Sequence, residues 1–288
     1  MMKVRIIAGL ACAALFITLL FYMDTIALPI FVALLSGLSV YELSSVAKVT
    51  LPMKLLSMAV GIFIPFDVSY NLLDRIGITP MVALSAYFIT LLIMMIKWNS
   101  KVKFDQVSMC LMASIAVPNA LACLIRLYEW KFVTDAAHVE SHAIYLIFTC
   151  AVCAWGTDTY SYFSGVLFGK HKMSPVISPK KTWEGAIGGV FLATLMNVGV
   201  YFVAEKFFSA PFTGWEWYTV IPISIAVCVI GIFGDLCASV IKRNYGIKDY
   251  GNLIPGHGGV MDRIDSAIFV FPAMYVVVNI VDILKGIN

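Results

Sequence analysis

The run from Ser239 to Asp265 concentrates ionisable side chains that the rest of this sequence mostly withholds. It holds the cations Lys242, Arg243, Lys248 and Arg263, the carboxylates Asp249, Asp262 and Asp265, and the imidazole of His257. Gly256, Gly258 and Gly259 leave backbone N–H groups open to close approach by an anion. Acids, bases and exposed amides together make the chemistry of a metal–polyphosphate site. Just upstream, Asp235, Ser239 and Lys242 stand at i, i+4 and i+7, one face of a helix. Asp235 follows Gly231 and Gly234, small residues that permit close helix contact. An acid in an apolar span faces a polar cavity or a partner, so Asp235 either works chemically or forms a structural ion pair with Lys242 or another base. Asp262 and Asp265 share a face at the start of the next span, where acids also suit the helix dipole. Magnesium takes carboxylate oxygens together with substrate phosphates, which favours Asp235 and Asp262 as its ligands, with Asp265 and Asp249 behind them. His257 is either a satisfied turn residue or a phosphate donor.

A second polar loop reads Ser174-Pro-Val-Ile-Ser-Pro-Lys-Lys-Thr-Trp-Glu184, followed by Gly185, Gly188 and Gly189. Lys180 and Lys181 are what the bias of cations toward the cytoplasm predicts, and they are equally suited to holding phosphate. Thr182 stands just before a helix, where its hydroxyl either caps that helix or meets phosphate at the positive helix end. Further upstream, Asp158 lies among Thr157, Thr159, Tyr160 and Ser161, a setting for a wet cavity or for a helix–helix hydrogen-bond network. Glu42 is another acid in an apolar span, and the sequence supplies no partner for it.

These residues need positioning elements, and composition says which. The chain has 288 residues, 61% hydrophobic and 13% charged. That is too apolar for a water-soluble domain. Continuous rather than alternating apolar runs argue against a membrane barrel. The fold expected is an all-α polytopic membrane protein of about nine transmembrane helices, since a span needs about 20 apolar residues. The segments are Val4–Tyr22, Ile26–Val46, Leu51–Val68, Pro80–Ile96, Val107–Leu127, Ala143–Phe168, Gly185–Phe207, Val220–Ile241 and Ile264–Leu284. The first reads as a retained span, not a removed signal. On this alternation one side receives only Arg75, Arg126, Lys131, Lys206 and Lys285 of the 20 Lys and Arg residues. The cation-rich side is cytoplasmic, so the N-terminus is cytoplasmic and the C-terminus outside. Cys150 and Cys153 form a CxxC, but no second pair completes a zinc site, and the seven cysteines read as buried thiols.

The C-terminal motif, Ser239, Lys242-Arg243, Lys248-Asp249, His257-Gly258-Gly259 and Asp262-Arg263-x-Asp265, resembles the signature of the phosphatidate cytidylyltransferases. The runs from Trp155 to Tyr162 and from Ser178 to Gly185 are similar to further segments of that family. The resemblance implies an enzyme that joins CTP to phosphatidic acid, giving CDP-diacylglycerol and pyrophosphate. It implies Mg2+ on Asp235 and Asp262, allows a second cation, and gives catalytic roles to Lys242, Arg243 and His257. Substrate contacts would come from Asp158, Lys180, Lys181, Thr182, Ser239, Lys248, Asp249, Gly258, Gly259 and Arg263. Residues 1–140 would form a transmembrane scaffold or dimer surface. Residues 141–288 would form the catalytic region, with cytoplasmic loops 169–184 and 242–263. Membrane lipid is an expected partner and nucleic acid is not. Two rivals share some of these features. A secondary transporter or channel also uses intramembrane acids, and a CTP-dependent lipid kinase would share a nucleotide site. No phosphate-binding GxxxxGK[ST] loop is present.

Overall fold

The computed structural model describes residues 18–99, 101–130, 139–208, 216–253 and 258–284. Among these, seven helices are long and apolar enough to cross a membrane. They are α1 (Ala27–Val46), α2 (Leu51–Tyr70), α3 (Pro80–Lys97), α4 (Phe104–Tyr128), α6 (Trp183–Phe208), α7 (Trp217–Asn244) and α8 (Ala267–Leu284), the last preceded by the helical turn Met261–Ile264. Helix α5, built from Val139–Ala151, Val152–Gly156 and Thr157–Phe168, covers the expected sixth span but is not among the seven. Most of the expected first span, and His257, lie outside the described residues. The protein is thus a largely helical polytopic membrane protein.

Packing divides the chain into two compact units. The first holds the described residues up to Ile125 together with Tyr245–Arg263. The second runs from Arg126 to Asn244 and resumes at Ile264. The sequence reading had placed loop 242–263 wholly with the C-terminal half.

In the first unit α1 packs along α2, and both meet α4. Pro52 suits the start of α2, where its missing N–H costs nothing. Pro65 lies inside this helix without ending it. The helix continues to Tyr70 and stops at Asn71 in the left-handed conformation, where Asp67 accepts the Leu73 N–H at 2.8 Å. The α1–α2 turn is held from α4, since the Gln106 amide donates to the carbonyls of Ala47 and Lys48 at 3.1 and 2.8 Å. Helix α3 is mostly exposed, but the buried Tyr87 hydroxyl bonds Ser57 of α2 at 2.9 Å and Ser114 of α4 at 2.8 Å. Ser114 lies in a π turn, Met112–Ala116.

In the second unit α5 and α6 approach along a seam of small residues. A Cβ on Gly188 would meet Ser164 Oγ at 2.5 Å, and one on Gly189 would collide with Ser161 and lie 2.9 Å from the Thr157 carbonyl. Helix α7 packs on α6 and α8 on α7. Gly231 and Gly234 of α7 face Val270 and Phe269 of α8, so their role is helix contact, as their size suggested. A second π turn, Val152–Gly156, interrupts α5. One element was absent from the sequence reading: a two-stranded antiparallel hairpin, β1 (Lys172–Ser174) and β2 (Ser178–Thr182), between α5 and α6.

The seam makes a paired expectation. Gly189→Ala should lower the thermal midpoint of the purified protein, because serine and backbone must shift to admit a methyl group. Gly199→Ala, later on α6 with nothing within 4 Å of the new Cβ, should leave the midpoint unchanged or raise it. Equal midpoints for the two variants would remove the seam from the account.

Candidate active site

In the second unit the helical spacing of Asp235, Ser239 and Lys242 brings chemistry to one end of α7. Lys181 of β2 forms an ion pair with Asp235. The base that faces Asp235 is therefore Lys181 rather than Lys242. Lys242 lies 3.7 Å from Asp265, and both side chains are largely buried at 11% and 9% exposure. Asp265 also accepts the N–H of Ser266 at 2.9 Å, and the Ser266 hydroxyl donates to Asp158 at 3.3 Å. The charges of Asp235, Lys242 and Asp158 all act on Asp265. Three carboxylates and two ammonium groups from α5, β2, α7 and the short link before α8 therefore form one electrostatic cluster.

Asp158, Lys180, Lys181, Thr182, Asp235 and Ser239 line a cavity of about 650 Å³ in this unit. Asp158 both lines this cavity and takes part in a hydrogen bond between elements, to Ser266. The Thr182 hydroxyl accepts the Gly185 N–H at 3.2 Å, capping α6. Gly165, Gly169 and Gly185 converge on that hydroxyl: a Cβ on Gly169 or Gly185 would lie 2.8 or 2.9 Å from it, and one on Gly165 3.0 Å. Thr182 thus caps the helix, and it also lines the cavity.

The hairpin that carries Lys180 and Lys181 is anchored by residues the sequence reading passed over. Glu184 accepts the backbone N–H groups of Lys170 and His171 at 3.1 and 3.2 Å and bonds His171 Nδ1 at 2.5 Å. The Trp183 N–H returns to the His171 carbonyl. Arg243, expected on phosphate, donates from Nε to the Ile177 carbonyl at 3.4 Å, at the hairpin's tip.

In the first unit Asp262 and Glu42 organise the signature loop. Asp262 Oδ2 accepts the N–H groups of Tyr250 and Gly259 at 2.8 and 3.0 Å. Gly258 has φ +87°, and a Cβ there would lie 3.0 Å from the same oxygen. Glu42, 2% exposed, accepts the N–H of Val260 at 2.9 Å on one oxygen and that of Met261 at 2.8 Å on the other. A Cβ on Gly251 or Gly259 would lie 2.7 or 2.5 Å from its carboxylate. The partner missing from the sequence is thus the backbone of the motif itself. Lys248, Asp249 and Arg263 are exposed on this loop. Asp235 and Asp262 belong to different units, and each is placed by its own surroundings.

Comparison with known proteins agrees with this chemistry. Residues 3–281 match the model of the cytidylyltransferase family, and the chain belongs to that family. The phosphatidate cytidylyltransferase of Bacillus subtilis is 30% identical over 278 residues, covering 95% of this chain and 96% of that protein. The phosphatidate cytidylyltransferase of Staphylococcus haemolyticus is 30% identical over 276 residues, 95% of this chain and 97% of that one. That of Haemophilus influenzae is 40% identical over 136 residues, 47% of this chain and 46% of that one.

Glu42 gives the sharpest expectation. Glu42→Ala strands two buried N–H groups, and each lost bond to a charged acceptor costs about 1.5–3 kcal/mol. The variant should melt earlier and lose most turnover, with Glu42→Asp between it and the parent. A Glu42→Ala protein with parental turnover would show that the loop holds its shape without α1.

Proposed function

We propose that this protein is a phosphatidate cytidylyltransferase, converting CTP and phosphatidic acid to CDP-diacylglycerol and pyrophosphate. The observation that carries the reading is the cavity of Asp158, Lys180, Lys181, Asp235 and Ser239, in a membrane protein of the cytidylyltransferase family. An oxygen of the lipid phosphate attacks the α-phosphorus of CTP, and the bond to the leaving pyrophosphate breaks. The nucleophile is already anionic, so no strong general base is needed. The site must instead overcome repulsion between two polyanions and align them.

Among the described residues no group of three or more His, Cys, Asp or Glu side chains is gathered closely enough to cage a metal. Magnesium does not require such a cage, because it is held by one or two carboxylates and substrate phosphates. The hard oxygen donors of Asp235 and Asp265 fit that requirement. When bound, Mg2+ would neutralise the triphosphate and stabilise the departing pyrophosphate. The resemblance of the motif supports Asp262 with Asp235 as the leading pair of ligands. Lys180 and Lys181 hold phosphate oxygens, and Lys242 fixes Asp265. The hairpin sets the reach of the first two lysines, and the Thr182 cap fixes the base of the hairpin.

We assign nine spans, a cytoplasmic N-terminus and a site facing the cytoplasm of a bacterium. The distribution of Lys and Arg supports this arrangement. Cysteines placed at Asn252 and His138, in a background lacking the native ones, should label from opposite sides of the membrane. Labelling of both from one side would overturn the topology.

The decisive assay supplies purified protein, phosphatidic acid and Mg2+ with CTP labelled at either its α- or its γ-phosphate. Label should enter lipid from the α position alone. Entry from the γ position would mark a lipid kinase. Chelating the metal should abolish transfer. Asp235→Asn and Asp262→Asn should each remove nearly all turnover while inserting normally, and near-parental kinetics would strike that residue from the metal site. Lys180→Ala should weaken CTP use on the order of tenfold, as expected for one charge-assisted contact.

A further inference from the structure

Beside the polar cavity lies a second one of about 660 Å³, entirely within the second unit and almost wholly apolar. It runs along α6 from Trp183 to Val198 and along α7 from Ile232 back to Trp217. At the helical rise of 1.5 Å per residue, each wall is about 22 Å long. The two cavities share Met173, Ala186 and Ile232. On one side of these shared residues stand Lys180, Lys181, Asp235 and Ser239, and on the other Val190, Leu195 and Val229.

We propose that the groove between α6 and α7 seats one acyl chain of the phosphatidic acid substrate and sets the chain lengths the enzyme accepts. The inference rests on the phosphatidate reading above. Its warrant is continuity of opposite chemistries. An amphiphile with an anionic head fits a lysine-lined chamber that adjoins, across three shared lining residues, an apolar trough. The trough's length also suits a long chain. One leaflet of hydrocarbon is about 15 Å deep, half of the bilayer core, and the groove exceeds it. Its walls are open, with Ile187 68%, Phe191 64% and Val229 52% exposed, so a chain can enter sideways from the membrane without unfolding a helix. With its tail in the groove, the lipid's phosphate is held beside Lys181 and Asp235. Binding energy from the remote chain then serves orientation at the reacting phosphorus.

The groove acts as a ruler, and tryptophan substitutions test it. Val190→Trp would fill it near the shared residues and Val198→Trp near its far end. With dioleoyl phosphatidic acid, Val190→Trp should lose on the order of tenfold in kcat/KM, a loss typical of an apolar pocket that no longer fits. With dioctanoyl phosphatidic acid, Val198→Trp should match the parent, and its loss should appear only for long chains. Equal losses for short and long chains in both variants, or no change in either, would overturn the proposal. Absence of activity with every phosphatidic acid in the unmodified protein would instead overturn the phosphatidate reading itself. Crosslinking keeps the test independent of variant folding. Phosphatidic acid with a photoreactive group along one acyl chain should label α6 and α7 in the unmodified protein. Unlabelled phosphatidic acid should displace that labelling at concentrations where phosphatidylcholine does not. Equal displacement by the two lipids would mean that the groove holds bulk membrane lipid.

Discussion

A buried carboxylate is tolerable only when its oxygens are satisfied. In the first unit that requirement links α1 to the signature loop. Glu42 spends one oxygen on Val260 and the other on Met261, residues more than two hundred positions away. The carboxylate sits so close to the backbone that Gly251 and Gly259 have no space for side chains. The described parts of the loop are thus held to Glu42 at Val260 and Met261 and to Asp262 at Tyr250 and Gly259. The glycines of the motif serve at least two ends. Gly258 takes up a left-handed backbone, while Gly259 makes way for an acid. One of the N-terminal helices thus holds part of the segment with the densest charge.

The second unit solves a related problem by pairing. Lys181 faces Asp235 and Lys242 faces Asp265. Each pair balances charge that would otherwise stand exposed in an apolar setting. Such pairs also suit a polyanionic substrate, because a phosphate can take the place of a carboxylate beside the same ammonium group. The hairpin supplies one of these cations, and its geometry is held at both ends. Glu184 grips its base and Arg243 its tip.

Much of this could be read from residue order. Apolar runs locate the seven helices because period and length are local properties. The face shared by Asp235, Ser239 and Lys242 follows from helical spacing alone. Motif resemblance led to the family that the comparison then established. Partners separated widely in sequence could not be read. Nothing local pairs Glu42 with Val260, Lys181 with Asp235, or Ser266 with Asp158. Thr182 left two readings open because a cap and a phosphate contact use the same hydroxyl, and only the position of the Gly185 N–H reveals the cap. The hairpin was missed because its strands are short and polar and include Pro179, which weakens any strand signal.

The π turn at Val152–Gly156 has a consequence for how Asp158 came to face its cavity. A π turn adds one residue to a helix without adding a turn. Each residue of an α-helix advances about 100° around the axis. Everything in Thr157–Phe168 is therefore rotated by about that angle from where simple counting from Val139 would put it. Asp158, Ser161 and Gly165 look into the cavity in that rotated phase. The extra residue is a matter of chain length, not of side-chain identity. The direction in which the cavity-lining side chains point is thus set by one extra residue of backbone, and it would go unnoticed in any survey of which amino acids are chemically reactive.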